Sequence, residues 1–520
     1  MAPALRVSAV PGPMGPEEIH RIKLERVRAS GARTLPSNVD WLASLPAQER
    51  ARFDGAIRRR PSRTLSGVAV VAVMTAPARC PHGRCTYCPG GVENNSPQSY
   101  TGEEPSALRG AQFHWDSRRI TAERLASLEE TGHPTSKVEV IVMGGTFPSR
   151  PVSYQEGVLR GVYEGLNGAP AGSLVEAQLA NESAARRMVG LTVETRPDWC
   201  DARVLPFLLG AGVTRIEIGV ECLHEEVLRA VGRAHGVEDV TRATTAARGQ
   251  GLKICYHLMI GLPGMTPEED VRDALRVLGE PALRPDMLKI YPTLVIPGTP
   301  LYDGWKAGRY VPYDAPTAVE VLARIKRALP PWVRIQRIQR DIPARLIADG
   351  VRVSNLRERA LARLAESGAH CRCLRCREVG RRARPPIEDL ALTETQYPTL
   401  GGTELFIAWE DPRSDSIAGF LRLRLPSESL EGALPDPVIR ELKVLGTEVA
   451  VGTPGAGRSD YQHRGLGRAL LERAEERARE AGHRGLYVTS AVGTRPYYRV
   501  QGYVPVGSHM RKALFAGRKP

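Results

Sequence analysis

Nine cysteines are present, and six of them fall in two tight clusters. The first cluster, Cys80, Cys85 and Cys88, has the spacing C-x4-C-x2-C and directly follows an apolar run typical of a buried strand. Three thiolates can hold three irons of a [4Fe–4S] cluster and leave the fourth iron without a protein ligand. That iron could bind S-adenosylmethionine, and one electron from the cluster would then release a 5′-deoxyadenosyl radical. A structural zinc ion with His82 as fourth ligand is the alternative.

The second cluster combines three thiols with an imidazole and predicts a metal site of a different kind. Its residues are His370, Cys371, Cys373 and Cys376. Zinc held tetrahedrally by three cysteines and one histidine would give a closed, structural site. A more distant residue competes with His370 for the fourth position, and a second iron–sulfur cluster is the other alternative.

A glycine-rich segment with the pattern Q-x-x-G-x-G opens a predicted amphipathic helix in the last part of the chain. Backbone N–H groups at a helix start, approached closely past glycine, form an anion site suited to the pyrophosphate of CoA. A glycine helix cap without a ligand is the alternative. The segment comprises Gln462, His463, Arg464, Gly465, Leu466 and Gly467.

Apolar strand patterns alternate with helical patterns through the first two-thirds of the chain, which predicts parallel strands joined by crossover helices. Six such units indicate a partial (β/α) barrel, whose chemistry would lie at the carboxyl ends of its strands. We expect strands over residues 68–74, 138–143, 191–194, 215–220, 253–260 and 287–291. We expect helices over residues 122–130, 183–189, 202–209, 237–250 and 267–278.

The pattern changes around residues 340–400, where arginine-rich helices, the second cysteine cluster and Pro385-Pro386 mark a boundary. Beyond it, the sequence predicts a smaller mixed α/β unit. Its expected strands cover residues 404–409, 417–425, 438–449 and 486–490, and its long helix covers residues 465–481.

The net charge of +14 is concentrated in two segments. Residues 1–79 contain 13 Lys and Arg against 6 Asp and Glu, and residues 331–384 contain 14 against 5. A local excess of arginine fits a polyphosphate partner such as a nucleic acid, with solvated basic segments as the alternative. The expected contact residues are Arg58, Arg59, Arg60, Arg372, Arg375, Arg381 and Arg382.

Apolar runs in the chain fall far short of the ~20 residues needed to cross a bilayer, and the N-terminus lacks the apolar region of a signal peptide. We therefore expect a soluble, cytoplasmic protein without a membrane partner.

The region around the first cysteine cluster resembles the radical S-adenosylmethionine (radical SAM) superfamily, although four residues separate the first two cysteines where the superfamily usually has three. The resemblance implies that Gly144, Gly145 and Thr146 receive the amino group of the methionine moiety. It also implies that Glu194 and Glu221 face the ribose or the methionine end.

The Q-x-x-G-x-G segment and residues 493–503 resemble the GNAT superfamily of acetyltransferases. In that superfamily a tyrosine commonly stands near the CoA sulfur, which makes Tyr497 and Tyr498 the candidates here. Glu441, on a predicted strand, could act as a base or position water, with a surface location as the alternative.

Both units, in this order, resemble the family of the catalytic subunit of Elongator in its shorter prokaryotic form. The resemblance implies 5-carboxymethylation of the wobble uridine of tRNA: the deoxyadenosyl radical takes hydrogen from the methyl group of acetyl-CoA, the carbon radical adds to C5 of uridine, and the thioester is hydrolysed. Lys289 would be an active-site cation, with its stem packed on the sheet as the alternative. The carrying residues are 63–67, 80–91, 96–104, 143–147, 191–198, 286–292, 339–343, 376–380 and 493–503.

This resemblance also implies domain boundaries and binding partners for the chain. We expect a basic tRNA-binding segment at residues 1–62, a radical SAM partial barrel at 63–342, an arginine-rich linker with a zinc-binding loop at 343–390, and a GNAT domain at 391–520. The partner would be the anticodon stem-loop of tRNA. The electron donor is not specified by the sequence, and a homodimer is compatible with it.

Three other functions compete with this interpretation. A protein lysine acetyltransferase with a purely structural iron–sulfur cluster is the main alternative and would need neither reductant nor S-adenosylmethionine. A tRNA-binding scaffold with decayed cofactor sites would not retain the intact cysteines and glycines. A different radical modification, such as methylthiolation, would usually call for a second catalytic cluster.

Overall fold

The computed structural model describes residues 16–30, 41, 64–427, 430–449 and 457–514. Arg58, Arg59 and Arg60 lie outside these residues, as does most of the segment 1–62. Two seven-stranded sheets organise the described chain. Among the described residues, no helix is long and apolar enough to span a bilayer.

The first sheet is entirely parallel, and its strands follow one another in chain order. Its β-branched runs are buried on both faces, as in a sheet covered by helices outside and filled by side chains inside. This is the predicted partial (β/α) barrel, with one strand more than the six expected. The strands are β1 (Val68–Met74), β2 (Lys137–Met143), β3 (Arg187–Thr195), β4 (Arg215–Glu221), β5 (Lys253–Ile260), β6 (Met287–Pro292) and β7 (Arg334–Arg337).

Helices cover the outer face of the barrel, and local sequence signals determine where they begin. For example, Thr266 and Glu269 form a reciprocal capping box with Pro267 at the first helical position. The helices before the second sheet are α1 (Pro16–Ser30), α2 (Pro105–Gln112), α3 (Ser117–Glu130), α4 (Val152–Asn167), α5 (Leu174–Asn181), α6 (Leu205–Gly210), α7 (Glu225–Ala230), α8 (Val237–Gly249), α9 (Pro267–Gly279), α10 (Pro300–Lys306), α11 (Ala315–Arg327), α12 (Leu356–Glu366) and α13 (Leu374–Arg377).

One predicted helix is wrong. Residues 183–189 contain good helix formers, but the chain turns there and β3 begins at Arg187. Met188 pairs with Val138 of β2 and is fully buried, so tertiary packing overrides local propensity.

The second sheet is mixed and forms the smaller α/β unit. Its spatial order is β13-β14-β12-β11-β10-β9-β8, and α14 packs against β9, β10, β11 and β12. The parallel pairing of β11 with β12 covers only two residue pairs and ends at Ile439 and Val488, where β12 ends. The elements are β8 (Ala391–Thr399), β9 (Gly402–Asp411), β10 (Ser416–Pro426), β11 (Val438–Val444), α14 (Leu466–Glu480), β12 (Gly485–Val488), α15 (Arg495–Val500), β13 (Val504–Val506) and β14 (His509–Ala513).

The second sheet packs against the amino ends of the barrel strands. Arg440 of β11 donates to the carbonyl of Leu252, which precedes β5, and to the carboxylate of Asp286, which precedes β6. Arg440 and Asp286 are both about 1% exposed. The two units therefore share a buried polar interface, on the side of the barrel opposite to the carboxyl ends of its strands.

Candidate active site and metal centres

A cleft that is open to solvent lies at the carboxyl ends of the barrel strands. It is lined by the loop after β1, by residues at the carboxyl ends of the barrel strands and by the segment after β7. Its lining includes Cys80, Tyr100, Gly145, Thr146, Glu194, Arg196, Glu221, Arg233, His257, Tyr291, Arg337, Arg340 and Asp341.

The first cysteine cluster borders the cleft through Cys80, which is part of the lining. Cys85 and Cys88 are buried, and burial raises the pKa of both thiols and of Cys80. The Sγ of Cys88 accepts a hydrogen bond from the Ser99 backbone N–H at 3.2 Å. The loop thus holds three thiols around one edge of the cleft.

The spread of these thiols bears on the zinc alternative. A zinc ion with bonds of about 2.3 Å cannot join two sulfurs more than about 4.6 Å apart. Among the described residues, Cys80, Cys85 and Cys88 do not form a group whose ligand atoms all lie within 4.8 Å, even though His82 Nε2 lies 3.2 Å from Cys85 Sγ. This spacing fits a multi-iron cluster better than a single ion.

The glycine doublet after β2 brings backbone close to the cysteines. Gly144 and Gly145 have φ values of 129° and 93°, a region that favours glycine. A Cβ at Gly144 would lie 2.3 Å from the Thr75 hydroxyl, and one at Gly145 would lie 3.7 Å from Cys80 Sγ. Thr146 Oγ1 is 3.9 Å from the same sulfur. These residues can therefore present backbone groups to a molecule bound beside Cys80.

The two predicted acidic residues also line the cleft. Glu221 ends β4 with a left-handed φ of 68°, which is rare outside glycine, and pairs with Arg233 at 3.0 Å. Glu194 accepts a hydrogen bond from the Tyr100 hydroxyl at 3.2 Å. Both carboxylates are therefore held in place at the cleft.

Lys289 lies beneath the cleft floor and is absent from its lining. Its ammonium contacts the Glu217 carboxylate and lies 3.8 Å from Glu194. Burial lowers the pKa of Lys289, but the Glu217 charge outweighs it and the pKa is raised, so the side chain stays charged. Glu217 also binds His257 Nε2 at 2.8 Å, and His257 does reach the cleft.

The second cysteine cluster is compact. The sulfurs of Cys371, Cys373 and Cys376 lie within 4.8 Å of one another, a spacing that suits one tetrahedral ion. Lys326 is fully buried, and its ammonium lies 3.4 Å from Cys371 Sγ and 3.9 Å from Cys376 Sγ. A buried cation therefore stands beside the three thiols, a feature that the sequence did not indicate.

The His370 side chain faces the carboxylate of Asp415. Its side chain is 61% exposed, and Nε2 lies 3.8 Å from the Asp415 carboxylate. Arg372 and Arg382 also pair with Asp415, at 3.0 and 3.6 Å, and Arg381 pairs with Glu378 at 3.3 Å. Burial lowers the pKa of Arg375 to about 10. Three of the predicted RNA-contacting arginines are thus engaged in ion pairs.

The Q-x-x-G-x-G segment leads into α14 as predicted. Gly465 caps the helix with φ 83° in open space, and its neighbour His463 also has a left-handed φ of 58°. Gln462 is buried, and its side chain donates to the Ser66 carbonyl at 3.0 Å, immediately before β1 of the barrel. Arg464 donates to the Gly457 carbonyl at 3.3 Å, and Leu466 is buried. The start of α14 is therefore tied to the barrel.

The two candidate tyrosines of α15 have different surroundings. Tyr497 is 39% exposed, and a Cβ built on Gly467 would lie 3.7 Å from its hydroxyl. Tyr498 is buried in the core of the second sheet, with its ring edge-on to Tyr497 and Tyr503. The geometry favours Tyr497 as the residue that could touch a ligand bound at the start of α14.

Glu441 is 4% exposed, so the expected alternative of a surface location is wrong. Its carboxylate accepts from Arg422 at 2.9 Å and lies 3.4 Å from Lys443. Burial raises its pKa, but these cations and Lys253 lower it overall. Glu441 is therefore an ionised, buried carboxylate on β11, two residues beyond the last pair of this strand with β12.

Comparisons with known protein families define the class. Residues 75–278 match the radical SAM superfamily, residues 285–366 match the radical SAM C-terminal domain, and residues 375–503 match the acetyltransferase (GNAT) family. The chain is thus a radical SAM protein with a GNAT unit, as its two sheets indicate. These families imply an iron–sulfur cluster, S-adenosylmethionine and acetyl-CoA as cofactors.

Relatives across most of the chain define the family more narrowly. The tRNA uridine(34) acetyltransferase of Methanocaldococcus jannaschii is 44% identical, with 92% of this chain and 90% of the relative covered. Human Elongator complex protein 3 is 41% identical, with 96% and 93% covered. The structure of Methanocaldococcus infernus Elp3 lacking residues 1–46 has a TM-score of 0.77 at 40% identity and covers 86% of this chain and 100% of that chain. The chain belongs to this family of tRNA uridine(34) acetyltransferases and Elongator catalytic proteins.

Proposed function

We propose that this protein modifies the wobble uridine of tRNA and forms 5-carboxymethyluridine from acetyl-CoA by radical chemistry. The observation that carries the proposal is the joining, through a buried interface, of a cysteine-lined cleft and a GNAT sheet in one chain. A reaction that needs only one of these sites would leave the other without a purpose. The matched relatives include proteins named for uridine 34 of tRNA.

In the cleft, Cys80, Cys85 and Cys88 would hold an iron–sulfur cluster, and Gly145 and Thr146 would hold the methionine end of S-adenosylmethionine. Together these cofactors supply a 5′-deoxyadenosyl radical when bound. The protein contributes position and charge: it fixes Glu194 and Glu221 at the cleft and leaves the lining formed by β6, β7 and the segment after β7 available for substrate.

At the second sheet, the segment 462–467 would bind the pyrophosphate of CoA at the start of α14. Tyr497 would donate a proton toward the CoA sulfur as the thioester is cleaved. Glu441 lies on β11 just beyond its pairing with β12, where its fixed negative charge would orient water or a cationic neighbour.

The compact cluster of Cys371, Cys373 and Cys376 would hold zinc, with Lys326 close enough to balance the charge of the thiolates. In this proposal His370 contacts Asp415 and is not a ligand. The metal would stiffen the segment between the barrel and the second sheet, where little apolar material is available.

The basic segment 1–62 and the arginines of segment 343–390 would bind the anticodon stem-loop through its phosphates. We further propose that the protein acts in the cytoplasm, where it meets tRNA, and receives its electron from a separate donor. A homodimer is compatible with this function and is not needed for either site.

The test is anaerobic incubation of reconstituted protein with S-adenosylmethionine, a reductant, carbon-labelled acetyl-CoA and bulk tRNA, followed by nucleoside mass spectrometry. Label in 5-carboxymethyluridine that requires both cofactors would support the proposal. Unlabelled tRNA together with acetyl-lysine on an added protein would support the lysine acetyltransferase alternative instead.

A further inference from the structure

One part of the cleft wall, formed by β6, β7 and the segment after β7, has a chemical character of its own. We propose that Arg337, Arg340 and Tyr291 form the binding site for the target nucleotide: the two arginines bind phosphates of the RNA backbone, and the tyrosine contacts the base. This inference rests on the proposed RNA substrate and specifies which residues of the cleft receive it.

Two other arginines of the cleft lining already have charged partners within the protein. Arg233 pairs with Glu221 at 3.0 Å, and Arg196 forms two hydrogen bonds of 2.9 Å with Asp198. Both side chains are largely buried. Their charges are matched locally, so they leave little capacity for an added anion.

Arg340 differs from Arg196 and Arg233 in its contacts. Within the described ranges, it forms no hydrogen bond or ion pair, and its guanidinium lies over the Tyr100 ring at 5.6 Å. Tyr100 is itself fixed by its hydrogen bond to Glu194. Arg340 thus has a planar set of unused donors at the edge of the cleft, a geometry that matches a phosphate group.

Arg337, three residues earlier, has a partner that it can exchange. It contacts Asp341, whose side chain is 59% exposed, while that of Arg337 is 38% exposed. Replacing this contact by a phosphate would return the Asp341 carboxylate to water and leave no buried charge unpaired. Two guanidiniums on one segment can then hold the backbone on either side of a nucleotide.

Tyr291 supplies an aromatic surface at the end of β6. Its hydroxyl has no hydrogen-bond partner in the part of the chain that the structure describes, and its ring stands edge-on to His257 at 5.9 Å. His257 is held from behind by Glu217, so this corner of the cleft is rigid. Unpaired bases are recognised by stacking on such rings, and chemistry on a base requires that it leave the duplex.

The experiment measures binding of a synthetic RNA stem-loop with an unpaired uridine to cluster-loaded protein over a series of salt concentrations. Arg340→Ala and Arg337→Ala should each weaken binding about tenfold and lower the salt slope by about one. Arg340→Lys should keep the slope because it keeps the charge. Tyr291→Ala should weaken binding about fivefold or more and leave the slope unchanged.

Two controls separate this role from a structural one. Arg363→Ala removes an arginine that is 45% exposed and paired with Glu320 on the outer surface, and it should change neither affinity nor slope. RNA-independent cleavage of S-adenosylmethionine by dithionite-reduced protein is measured for all variants, and it should proceed at the wild-type rate in Arg363→Ala.

Three results would overturn the inference. Unchanged affinity and slope in the Arg337→Ala, Arg340→Ala double variant would show that these residues do not bind RNA. Loss of RNA-independent cleavage would assign them to the cofactor. Arg340-dependent binding of an acidic peptide in place of RNA would assign the wall to a protein substrate. In contrast, arginine-dependent RNA binding without formation of 5-carboxymethyluridine would support the nucleotide site and contradict the proposed function.

Discussion

Arg440 and Asp286 form a buried bidentate ion pair, with N–O distances of 2.7 and 2.6 Å, between the second sheet and the barrel. Burial alone would raise the pKa of Asp286, but Arg440 and Arg422 lower it to about 2. Arg440 also pairs with Glu404 at 2.8 Å. This network makes the relative position of the two units depend on charge as well as on apolar packing.

Asp286→Asn should destabilise the protein by about 3–5 kcal/mol, because it removes one charge of a buried network and leaves Arg440 and Arg422 without it. Thermal unfolding followed by circular dichroism measures the effect. Glu472→Gln, which removes an exposed ion pair with Arg468 at 2.8 Å, should cost less than about 1 kcal/mol. Equal effects of the two substitutions would show that the buried network is not stabilising.

Asp270 should make stability depend on pH in the opposite direction to a salt-bridged carboxylate. Burial raises its pKa from 3.8 to about 7, despite hydrogen bonds from the Gly261 N–H and the Tyr313 hydroxyl at 2.8 Å each. Because the folded protein holds the proton more tightly, the stabilising contribution is full below about pH 4 and is lost as the pH rises through 7.

Wild-type protein should therefore lose stability relative to Asp270→Asn by up to about 1.4 kcal/mol per pH unit between pH 4 and 7. Urea unfolding of both proteins at several pH values measures this difference. A difference that stays constant with pH would show that Asp270 is ionised in the folded state throughout this range.

Tyr497→Phe should lower turnover of acetyl-CoA about tenfold or more, because it removes the hydroxyl near Gly467 that would donate to the CoA sulfur. Tyr498→Phe keeps the packing of a ring that lies in the core, and it should retain most activity. Thiol release from acetyl-CoA is the measurement, with iron content as the check that the cleft is intact. The reverse ranking of the two variants would assign the role to Tyr498.

The proposed zinc site leads to a prediction about its fourth ligand. Cys373→Ala should lose the metal and lower the melting temperature, whereas His370→Ala should retain it because that imidazole is 61% exposed and faces Asp415. Lys326→Met should give metal that is more easily removed by a chelator. Elemental analysis of the purified variants provides the readout. Loss of zinc from His370→Ala would show that His370 is the fourth zinc ligand.

The sequence predicted the barrel well because its central strands are continuous apolar runs. The polar strands β7 and β8, each at one edge of its sheet, were missed for a physical reason. Edge strands such as β7, with the sequence RIQR, and β8, with alternating exposed residues, carry polar side chains and resemble loops in a sequence. The helix predicted at residues 183–189 was wrong because it was inferred from local helix propensity alone. The contacts with β2 that make part of this segment a strand cannot be seen in the local sequence.

For the candidate site, spacing identified residues that act together over a short stretch of chain, such as Cys80, Cys85 and Cys88. It could not identify partners that meet only in the folded chain. Lys326 approaches Cys371 from α11, and Arg340 reaches the cleft from the segment after β7. Such residues have no local signal, since their neighbours in space are remote in sequence.

The central claim is that one chain couples a radical in the barrel to acetyl-CoA bound at the second sheet. The most direct test uses acetyl-CoA deuterated in its methyl group, with cluster-loaded protein, S-adenosylmethionine, reductant and tRNA, and follows the mass of the 5′-deoxyadenosine that forms. We predict deuterium in 5′-deoxyadenosine for the wild type and no 5′-deoxyadenosine for Cys85→Ala, while Cys200→Ala, which alters a buried thiol outside both clusters, behaves as wild type. Unlabelled 5′-deoxyadenosine formed alongside modified uridine would contradict the account, because hydrogen would then come from a source other than the acetyl group.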